Sequence, residues 1–307
     1  GAMEAIASEE RGALFYLMQE GRGAGLTAKV RDRMLVQASR HRLTTFEAYE
    51  RLGLSPDGRR YGEVSAMCAL LGIEAPFALL TNNPDKVVAL EQEKIRVHST
   101  RSLRQVPSAF NRHYLKAKRG RGHSLPNLGS GSRIAEPPEG VRWMDPVAVP
   151  GTAIVQLAAY FLPVRVVDRP DPAWFRLSLY WDADGGTERV VLEFESDSSR
   201  EVLLRFQPEV ILERFPLRRP QNRLDWQQAM ARFVERGAGI GVFLPAEFAD
   251  ANPADPDSVS RLLMERHLGG RPAGLLATQA GEGETVARVL GGVKVDLLPL
   301  WDGGGRA

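Results

Sequence analysis

The sequence contains a single cysteine, Cys68, among its 307 residues. One cysteine excludes an intrachain disulfide and any metal site built from several cysteines, and it favours the cytoplasm as the compartment. The formal net charge of +2 is too small to indicate a nucleic-acid-binding surface. No apolar run approaches the ~20 residues of a membrane span, and no signal peptide is visible. We therefore expect a cytoplasmic protein with neither nucleic-acid nor membrane partners.

The remaining composition, 43% hydrophobic and 25% charged, is that of an ordinary soluble globular protein. The length predicts roughly two domains of ~150 residues each. Glycine, serine and proline are concentrated between residues 128 and 150, which is typical of a linker. The predicted organisation is therefore a first domain over 4–127, a linker over 128–150 and a second domain over 151–307.

The most informative stretch is a strand pattern that ends in a glycine-rich turn. An apolar run at 13–18 predicts a buried strand, and a helical pattern begins at about Leu26. Gly21, Gly23 and Gly25 lie between them. Such a turn suits an anion, because a backbone without Cβ atoms can approach a ligand closely and the helix start offers free N–H groups.

Two pairs of charged residues accompany this pattern. Glu20 and Arg22 lie in the glycine turn and offer an acceptor and a bidentate donor to a base or a phosphate. Asp57 and Arg59 lie in a later turn, just ahead of a helix predicted over 61–71. Taken alone, each pair would more often be a solvated surface pair.

Local signals predict the other elements of the first half. Thr44 followed by Glu47 is typical of a capped helix start. The capped helix is predicted to run on through 49–52. The other predicted elements are the end of a helix over 4–11, helices over 26–43, 61–71 and 85–93, and strands over 13–18, 76–80 and 95–97.

Four motifs share the order and spacing of one known family. They are YLMQEGRGAGL (16–26), TTFEAYERLGLSPDGRRY (44–61), LLTNNPDKV (79–87) and HYLKAKRGRGH (113–123). Over about residues 4–125 the chain resembles GTP cyclohydrolase II, apart from a few extra residues near 39–42. That family opens the imidazole ring of GTP and releases formate and pyrophosphate as the first step toward riboflavin. It works as a homodimer with a zinc ion held by three cysteines. The resemblance implies a mixed α/β fold of that type.

The resemblance also implies roles for individual residues. Those that match nucleotide-contacting positions are Glu20, Gly21, Arg22, Thr45, Thr81 and Lys86. Asp57 matches the proton acceptor, and Arg59 matches the residue proposed to attack or stabilise the α-phosphate. These roles suit the side chains, since a carboxylate can take a proton from water and a guanidinium can fork onto a phosphate.

Two departures from the family bear on the reaction. Arg33 stands where the family has a tyrosine, and an arginine cannot donate a proton in its place because its pKa lies above ~12. Arg33 remains a candidate for binding a phosphate or an altered substrate. The family's cysteine motif would lie upstream of Glu4, and Cys68 lies on an apolar helix face that predicts a core residue. No cofactor is therefore evident in this chain, although Mg²⁺ could accompany a nucleoside triphosphate.

The second half resembles a degenerate copy of the same family. Alternation predicts strands over 176–181, 188–194 and 201–206. Residues 229–244 parallel 4–17, and residues 272–300 parallel 76–103, which makes an internal repeat of low identity.

The second copy lacks the residues that the family uses. The three cysteine positions of the family fall on Val210 and at about Arg219 and Gln221, after Glu209. None of these can replace a thiolate ligand of zinc. The repeat predicts an intrachain pseudo-dimer or, alternatively, a second copy that completes the first; the resemblance by itself implies a homodimer.

Three hypotheses of function follow. In the first, the protein acts on GTP with a zinc site present in a longer native chain; in the second, it processes a nucleotide without zinc; in the third, it binds a nucleotide or serves as a scaffold without turnover. The second is favoured, as a hydrolase of altered chemistry in riboflavin-like or specialised-metabolite biosynthesis. The five histidines show no metal-ligand spacing; they are His41, His98, His113, His123 and His267.

Overall fold

The computed structural model of the chain describes residues 2–9, 11–74, 76–103, 106–125, 134–167, 169–208, 221–245, 256–277 and 295–299. The chain divides into two units, residues 1–136 and 137–307. The boundary falls inside the predicted linker, whose last part forms a short strand at Val147–Ala148. Both units contain helices and strands, so the predicted mixed α/β class is confirmed.

The first unit is mostly helical in its described part. Its elements are α1 (Ala2–Ala7), α2 (Gly25–Ala38), α3 (Thr45–Arg51), α4 (Gly62–Leu70), β1 (Phe77–Leu80), α5 (Pro84–Gln92), β2 (Val97–Arg101) and α6 (Arg112–Gly120). β1 and β2 pair in parallel, with Leu80 opposite Arg101, and α5 connects them. The predicted capping box at the start of α3 is confirmed: the Thr44 side chain accepts from the Glu47 N–H, and the Glu47 carboxylate accepts from the Thr44 N–H.

α2 is shorter than the helix predicted over 26–43. It ends at Ala38, and Arg40 and His41 both take a left-handed backbone conformation, with φ of 52° and 57°. A non-glycine residue in that region cannot continue a right-handed helix. These residues belong to the few extra positions near 39–42, so the insertion forms the turn that ends α2.

A small apolar core joins α4 to the two-stranded sheet. Val64 and Cys68 of α4 pack with Leu90 and Ile95, and all four are buried. The prediction that Cys68 is a core residue is therefore confirmed.

The strand predicted over 13–18 is not formed. These residues have no strand partner in the described part of the unit, where β1 and β2 pair with each other. Phe15 and Leu17 still pack on the apolar core, whereas Leu14 and Met18 are exposed. The alternation of the side chains is retained, but a strand also needs a neighbouring backbone to hydrogen-bond to.

The second unit is built on an eight-stranded mixed sheet. Its strands are β3 (Val147–Ala148), β4 (Ile154–Val164), β5 (Ala173–Asp182), β6 (Thr187–Glu195), β7 (Val202–Pro208), β8 (Ala238–Leu244), β9 (Ala273–Ala277) and β10 (Val295–Pro299). The order is β10-β9-β7-β8-β6-β5-β4-β3. The pairs β3–β4, β4–β5, β5–β6 and β6–β8 are antiparallel. The pairs β7–β8, β7–β9 and β9–β10 are parallel. The three predicted strands correspond to β5, β6 and β7 and are confirmed.

Two helices accompany this sheet, α7 (Gln221–Arg236) and α8 (Ser258–Leu268). α7 packs closely on β8 because glycine occupies two positions of that strand. A Cβ on Gly239 would lie 2.1 Å from Phe233, and a Cβ on Gly241 would lie 2.5 Å from Trp226. None of the described helices is long and apolar enough to cross a membrane.

The sequence repeat has a counterpart in the pairing of strands. β1–β2 and β9–β10 are both parallel pairs, and they lie at the positions that the repeat aligns, 76–103 and 272–300. Residues 278–294 lie outside the described residues, as do Val210 and Arg219. A degenerate second copy therefore stays a prediction.

Candidate functional site

The glycine turn, Glu20–Gly23, lies just before α2 and passes through the left-handed backbone region. Gly21 and Arg22 both have φ of 56°, and Gly23 has φ of 87°. Glycine at 23 serves a close approach as well, because a Cβ there would lie 2.9 Å from the backbone oxygen of Gly58. The turn is thus shaped to receive a second backbone segment.

That second segment is the loop carrying Asp57 and Arg59. The Gly58 N–H donates to the Arg22 carbonyl at 2.9 Å, and Arg22 Nη1 donates to the Pro56 carbonyl at 3.0 Å. The Gln19 side chain binds the backbone of Arg60 at the end of the loop. Its Nε2 donates to the Arg60 carbonyl at 2.7 Å, and its Oε1 accepts from the Arg60 N–H at 2.8 Å. Four hydrogen bonds therefore fix the loop, named here the 56–60 loop, against the glycine turn.

The Arg22 side chain anchors this junction. Its guanidinium carbon lies 4.1 Å from the centroid of the Phe46 ring and 5.0 Å from that of Tyr49. Its Nη2 donates to Thr45 Oγ1 at 3.5 Å, in addition to the bond to Pro56. Sequence reasoning treated Arg22 as a fork for a ligand; the structure gives it partners inside the protein that order the site.

Asp57 and Arg59 face each other in the 56–60 loop. Arg59 Nε donates to Asp57 Oδ1 at 2.8 Å, a second bond joins Arg59 Nη2 to Asp57 Oδ2, and the Arg59 N–H donates to Oδ1 at 3.2 Å. Burial opposes the ionisation of Asp57, but these bonds and the positive charge of Arg59 together hold the pKa of its carboxyl below the usual range. Asp57 is an ionised carboxylate paired with a cation that a phosphate could attract.

Thr81 lies in the β1–α5 connection, and Lys86 lies in the first turn of α5. The Thr81 hydroxyl is buried and accepts from the Asn83 N–H at 3.0 Å, while Asn83 caps α5 by accepting from the Asp85 N–H at 3.2 Å. Burial lowers the pKa of the Lys86 amine, and the charge of Arg59 lowers it further. Lys86 and Arg59 therefore share one partly buried cationic region, whereas Thr81 shapes the turn.

Glu20 and Thr45 complete the predicted set. Glu20 accepts from Lys29 Nζ at 2.7 Å, and both side chains are partly exposed. Thr45 is buried, and its hydroxyl donates to Asp32 Oδ2 at 2.7 Å while it accepts from Arg22. Gly21 is buried against the Tyr49 hydroxyl. Thr45 thus links the Arg22 anchor to Asp32, a residue that sequence reasoning missed.

Asp32 is a buried carboxylate on α2. It is 2% exposed, and its Oδ1 has no hydrogen-bond partner. Burial raises the pKa of the Asp32 carboxyl, although Arg33, Thr45 and Arg22 oppose the shift. Because the pKa is higher in the folded state, the ionised carboxyl contributes least to stability. The free energy of unfolding should therefore fall as pH rises from the unfolded-state pKa of Asp32 through its folded-state pKa.

We expect Asp32→Asn to raise the free energy of unfolding at neutral pH by about 1 kcal/mol, the lower end for an unsatisfied buried polar group. The gain should shrink below pH ~4, where the wild-type carboxyl is protonated. Urea unfolding at the two pH values measures both. Asp197→Asn is the control, because that exposed carboxylate accepts from Ser199 and Arg200 and its loss should bring no gain. A destabilised Asp32→Asn at both pH values would mean that attraction to Arg22 and Arg33 outweighs burial.

Arg33 contacts a tyrosine that lies 81 positions further along the chain. Its guanidinium carbon lies 4.9 Å from the centroid of the Tyr114 ring, and Lys118 Nζ lies 4.4 Å from the same centroid. Burial alone would raise the pKa of the Tyr114 phenol, but Lys118, Arg33 and Arg22 together lower it. α6 therefore contributes Tyr114 and Lys118 to this region.

Two histidines that looked unrelated in sequence also meet. The rings of His41 and His113 have centroids 4.9 Å apart, and His113 Nε2 donates to the Leu43 carbonyl at 3.2 Å. Burial and the neighbouring His41 lower the pKa of His113. Among the described residues, no three His, Cys, Asp or Glu side chains are grouped so as to hold a metal ion.

An open cavity of about 1330 Å³ borders the site. Arg59, Tyr61, Gln19 and Lys86 line one part of it, and much of the remaining wall is apolar. The cavity gives a ligand access to the two cations from one side. Burial raises the pKa of Tyr61, so that phenol stays protonated.

The site therefore brings together a tethered glycine turn, a carboxylate–guanidinium pair and several cations, all within the first unit. A model of the GTP cyclohydrolase II family matches residues 1–102. This part of the chain is similar to the GTP cyclohydrolase II family. The GTP cyclohydrolase-2 of Azotobacter vinelandii is 46% identical over 131 residues, which are 42% of this chain and 61% of that protein.

Two Pseudomonas proteins show similar matches. The GTP cyclohydrolase-2 of Pseudomonas aeruginosa is 43% identical over 132 residues, 43% of this chain and 62% of the relative. That of Pseudomonas putida is 43% identical over 131 residues, 42% of this chain and 62% of the relative. The chain thus spans about three fifths of the length of these GTP cyclohydrolase II relatives.

The zinc site of the GTP cyclohydrolase II family does not fit the residues of this chain. A site of three cysteines cannot form from one cysteine, and Cys68 is buried in the apolar core of α4. Of the three positions where the degenerate copy would carry the cysteines, Val210 and Arg219 lie outside the described residues, and Gln221 begins α7.

Proposed function

We propose that this protein binds GTP or a related nucleotide at the junction of the glycine turn and the 56–60 loop, and hydrolyses it at a phosphate group. The observation that carries the proposal is the set of four hydrogen bonds that hold Asp57 and Arg59 beside the turn. A surface ion pair without function would not need its backbone fixed from two sides.

The charges of the site suit a polyphosphate. Arg59 and Lys86 form a partly buried cationic region, and Arg33 and Lys118 add positive charge around Tyr114. Fixed cations in a partly desolvated site stabilise the charge that develops on a transferring phosphoryl group. Mg²⁺ bound to the triphosphate would add to this charge.

Asp57 and Arg59 then have complementary tasks. A triphosphate offers Arg59 a more highly charged partner than Asp57 does, and a guanidinium can fork onto phosphate oxygens as it does onto a carboxylate. When Arg59 turns to the phosphate, Asp57 is released from its salt bridge and its pKa moves back toward the usual range. Asp57 can then take a proton from an attacking water molecule.

Calorimetric titration of GTP into wild type and Arg59→Ala tests the binding step. We expect the affinity to fall about 10- to 100-fold in Arg59→Ala, as for the loss of hydrogen bonds to a charged group. Arg232→Ala is the matched control, because Arg232 also forms an ion pair with a nearby carboxylate, Glu235 at 3.3 Å, but lies in the second unit. Absence of GTP binding by wild type, or equal affinity in Arg59→Ala, would contradict the proposal.

The products identify the reaction. Ring opening in the family depends on a zinc-activated water, whereas hydrolysis at the α-phosphorus needs mainly positioning and positive charge. We therefore expect pyrophosphate and no formate when GTP is incubated with protein whose zinc content has been measured as negligible. Formate release by that metal-free protein would contradict phosphate chemistry.

A non-catalytic role is the alternative. If GTP binds and Arg59→Ala prevents binding, but neither pyrophosphate nor formate appears, the site is a nucleotide-binding module or scaffold. The proposal also includes a role in a biosynthetic pathway, which the identity of the products tests. It further includes the homodimer or intrachain pseudo-dimer expected from the sequence, which the mass in solution tests.

A further inference from the structure

The family position that carries a phenol is occupied here by Arg33, yet a different phenol lies directly against it. The Tyr114 ring belongs to α6, and the Arg33 guanidinium carbon lies 4.9 Å from its centroid. A tyrosine has thus been lost from α2, while one from α6 contacts the residue that replaced it.

The Tyr114 side chain is held in a defined place. Lys118, one turn further along α6, places its Nζ 4.4 Å from the ring centroid on the ring face. The adjacent Leu115 and nearby Ala117 are buried, and His113 is tied to the Leu43 carbonyl. The helix therefore presents the phenol from a fixed backbone, which is what proton transfer requires.

The charges that lower the pKa of Tyr114 belong to cations of the proposed nucleotide site. Lys118 comes from α6, Arg33 from α2 and Arg22 from the glycine turn, and Tyr114 in turn acts electrostatically on Arg59 of the 56–60 loop. The phenol is therefore within electrostatic range of the Asp57–Arg59 pair.

Tyr114 also differs from the other tyrosines near the site. Burial raises the pKa of Tyr49 to about 12, and burial likewise raises that of Tyr61. For Tyr114, burial is outweighed by Lys118, Arg33 and Arg22, which lower the pKa of the phenol. Of these three phenols, Tyr114 gives up a proton most readily.

We propose that Tyr114 is the proton donor of this enzyme, acting on the oxygen that leaves with pyrophosphate. Water attacks the α-phosphorus and loses a proton to Asp57, the bond from the α-phosphorus to the bridging oxygen breaks, and that oxygen takes the phenolic proton of Tyr114. The products are a nucleoside monophosphate and pyrophosphate, and both side chains regain their starting protonation from solvent. This inference rests on the proposed hydrolysis at a phosphate.

The test is the pH dependence of pyrophosphate release from GTP by wild type, Tyr114→Phe and Lys118→Met. We expect Tyr114→Phe to lower kcat about 100-fold with GTP affinity nearly unchanged. In wild type, kcat should fall at high pH as the phenol loses its proton, and this basic limb should vanish in Tyr114→Phe. Lys118→Met should move the limb to higher pH, because it removes a cation that favours the phenolate.

Tyr16→Phe is the control, since Tyr16 is an exposed tyrosine outside the proposed machinery and should keep the wild-type profile. Thermal unfolding of Tyr114→Phe shows whether the variant folds. If wild type releases pyrophosphate and Arg59→Ala does not, but Tyr114→Phe retains the wild-type kcat and basic limb, this inference is overturned and the proposed function stands. If wild type releases no pyrophosphate, both are overturned.

Discussion

Asp57→Asn should lower the rate of pyrophosphate release about 10²- to 10⁴-fold, the range for loss of a general base, without weakening GTP binding. The carboxylate now competes with the nucleotide for Arg59, because Arg59 donates to both oxygens of Asp57. An uncharged asparagine is a weaker competitor. Affinity for GTP should therefore be unchanged or tighter, in contrast to its loss in Arg59→Ala.

The pH dependence gives this prediction a second readout. In the free protein the pKa of Asp57 is held low, because the bonds and charge of Arg59 outweigh burial; in the complex, Arg59 is drawn to phosphate and the pKa rises. The acidic limb of kcat/KM, which reports the free protein, should therefore lie at lower pH than that of kcat. The acidic limbs of kcat and of kcat/KM should both be absent in Asp57→Asn.

Asp197→Asn is a close control for this variant. Asp197 also accepts from an arginine nearby in sequence, Arg200 Nε at 3.0 Å, but it lies in the second unit and should leave both constants unchanged. Parallel losses of affinity in Asp57→Asn and Arg59→Ala would show instead that the pair acts as one structural element and that Asp57 is not a base.

Features encoded by neighbouring residues were predicted well from the sequence. The Thr44–Glu47 capping box is a reciprocal pair within four residues, and the structure confirms both of its hydrogen bonds. The helical position of Cys68 was enough to assign it to the core. The helix over 26–43 was overextended because propensity does not register the left-handed turn at Arg40 and His41.

Features that depend on distant partners were not predictable in the same way. The apolar run at 13–18 has the composition of a strand, but composition does not supply the hydrogen-bonding neighbour that a strand needs. The link between Gln19 and Arg60 has no signal in the sequence. The motif order of the family pointed to Asp57 and Arg59, but it could not show that Arg22 is occupied by Phe46, Thr45 and Pro56.

The Arg33–Tyr114 contact illustrates why a substitution is poorly interpreted by itself. In sequence, a phenol replaced by arginine indicates only the loss of a proton donor. In the structure, the same arginine packs on a second phenol and helps to lower its pKa. The chemical consequence of Arg33 is therefore set by α6, a helix that begins 79 positions later.

Gly23→Ala should disrupt the site more than any other exchange of glycine for alanine in the turn. An alanine at φ of 87° is strained by about 1–2 kcal/mol. Its Cβ would also lie 2.9 Å from the Gly58 carbonyl oxygen. Since that contact is with backbone, relief requires the 56–60 loop to move away, and overpacking of this kind adds about 1–3 kcal/mol.

Gly25→Ala separates the two effects. Gly25 has a nearly identical φ of 88°, but a Cβ there would have no atom within 4 Å. In both variants the strained backbone of the new alanine should lower the free energy of unfolding, as measured by urea denaturation. Only Gly23→Ala should show the additional loss of stability from overpacking. Only this variant should also bind GTP more weakly, by at least ~10-fold, which is the equivalent of one hydrogen bond to a charged group.

The difference between the two glycine variants shows whether the glycine turn positions the 56–60 loop. If the glycine turn serves to hold the 56–60 loop, displacing Gly58 also breaks its hydrogen bond to the Arg22 carbonyl and misplaces Arg59. Equal GTP affinity in Gly23→Ala and Gly25→Ala would mean that the loop does not need the turn. The nucleotide would then be bound by the cations alone, and the tethering would serve stability.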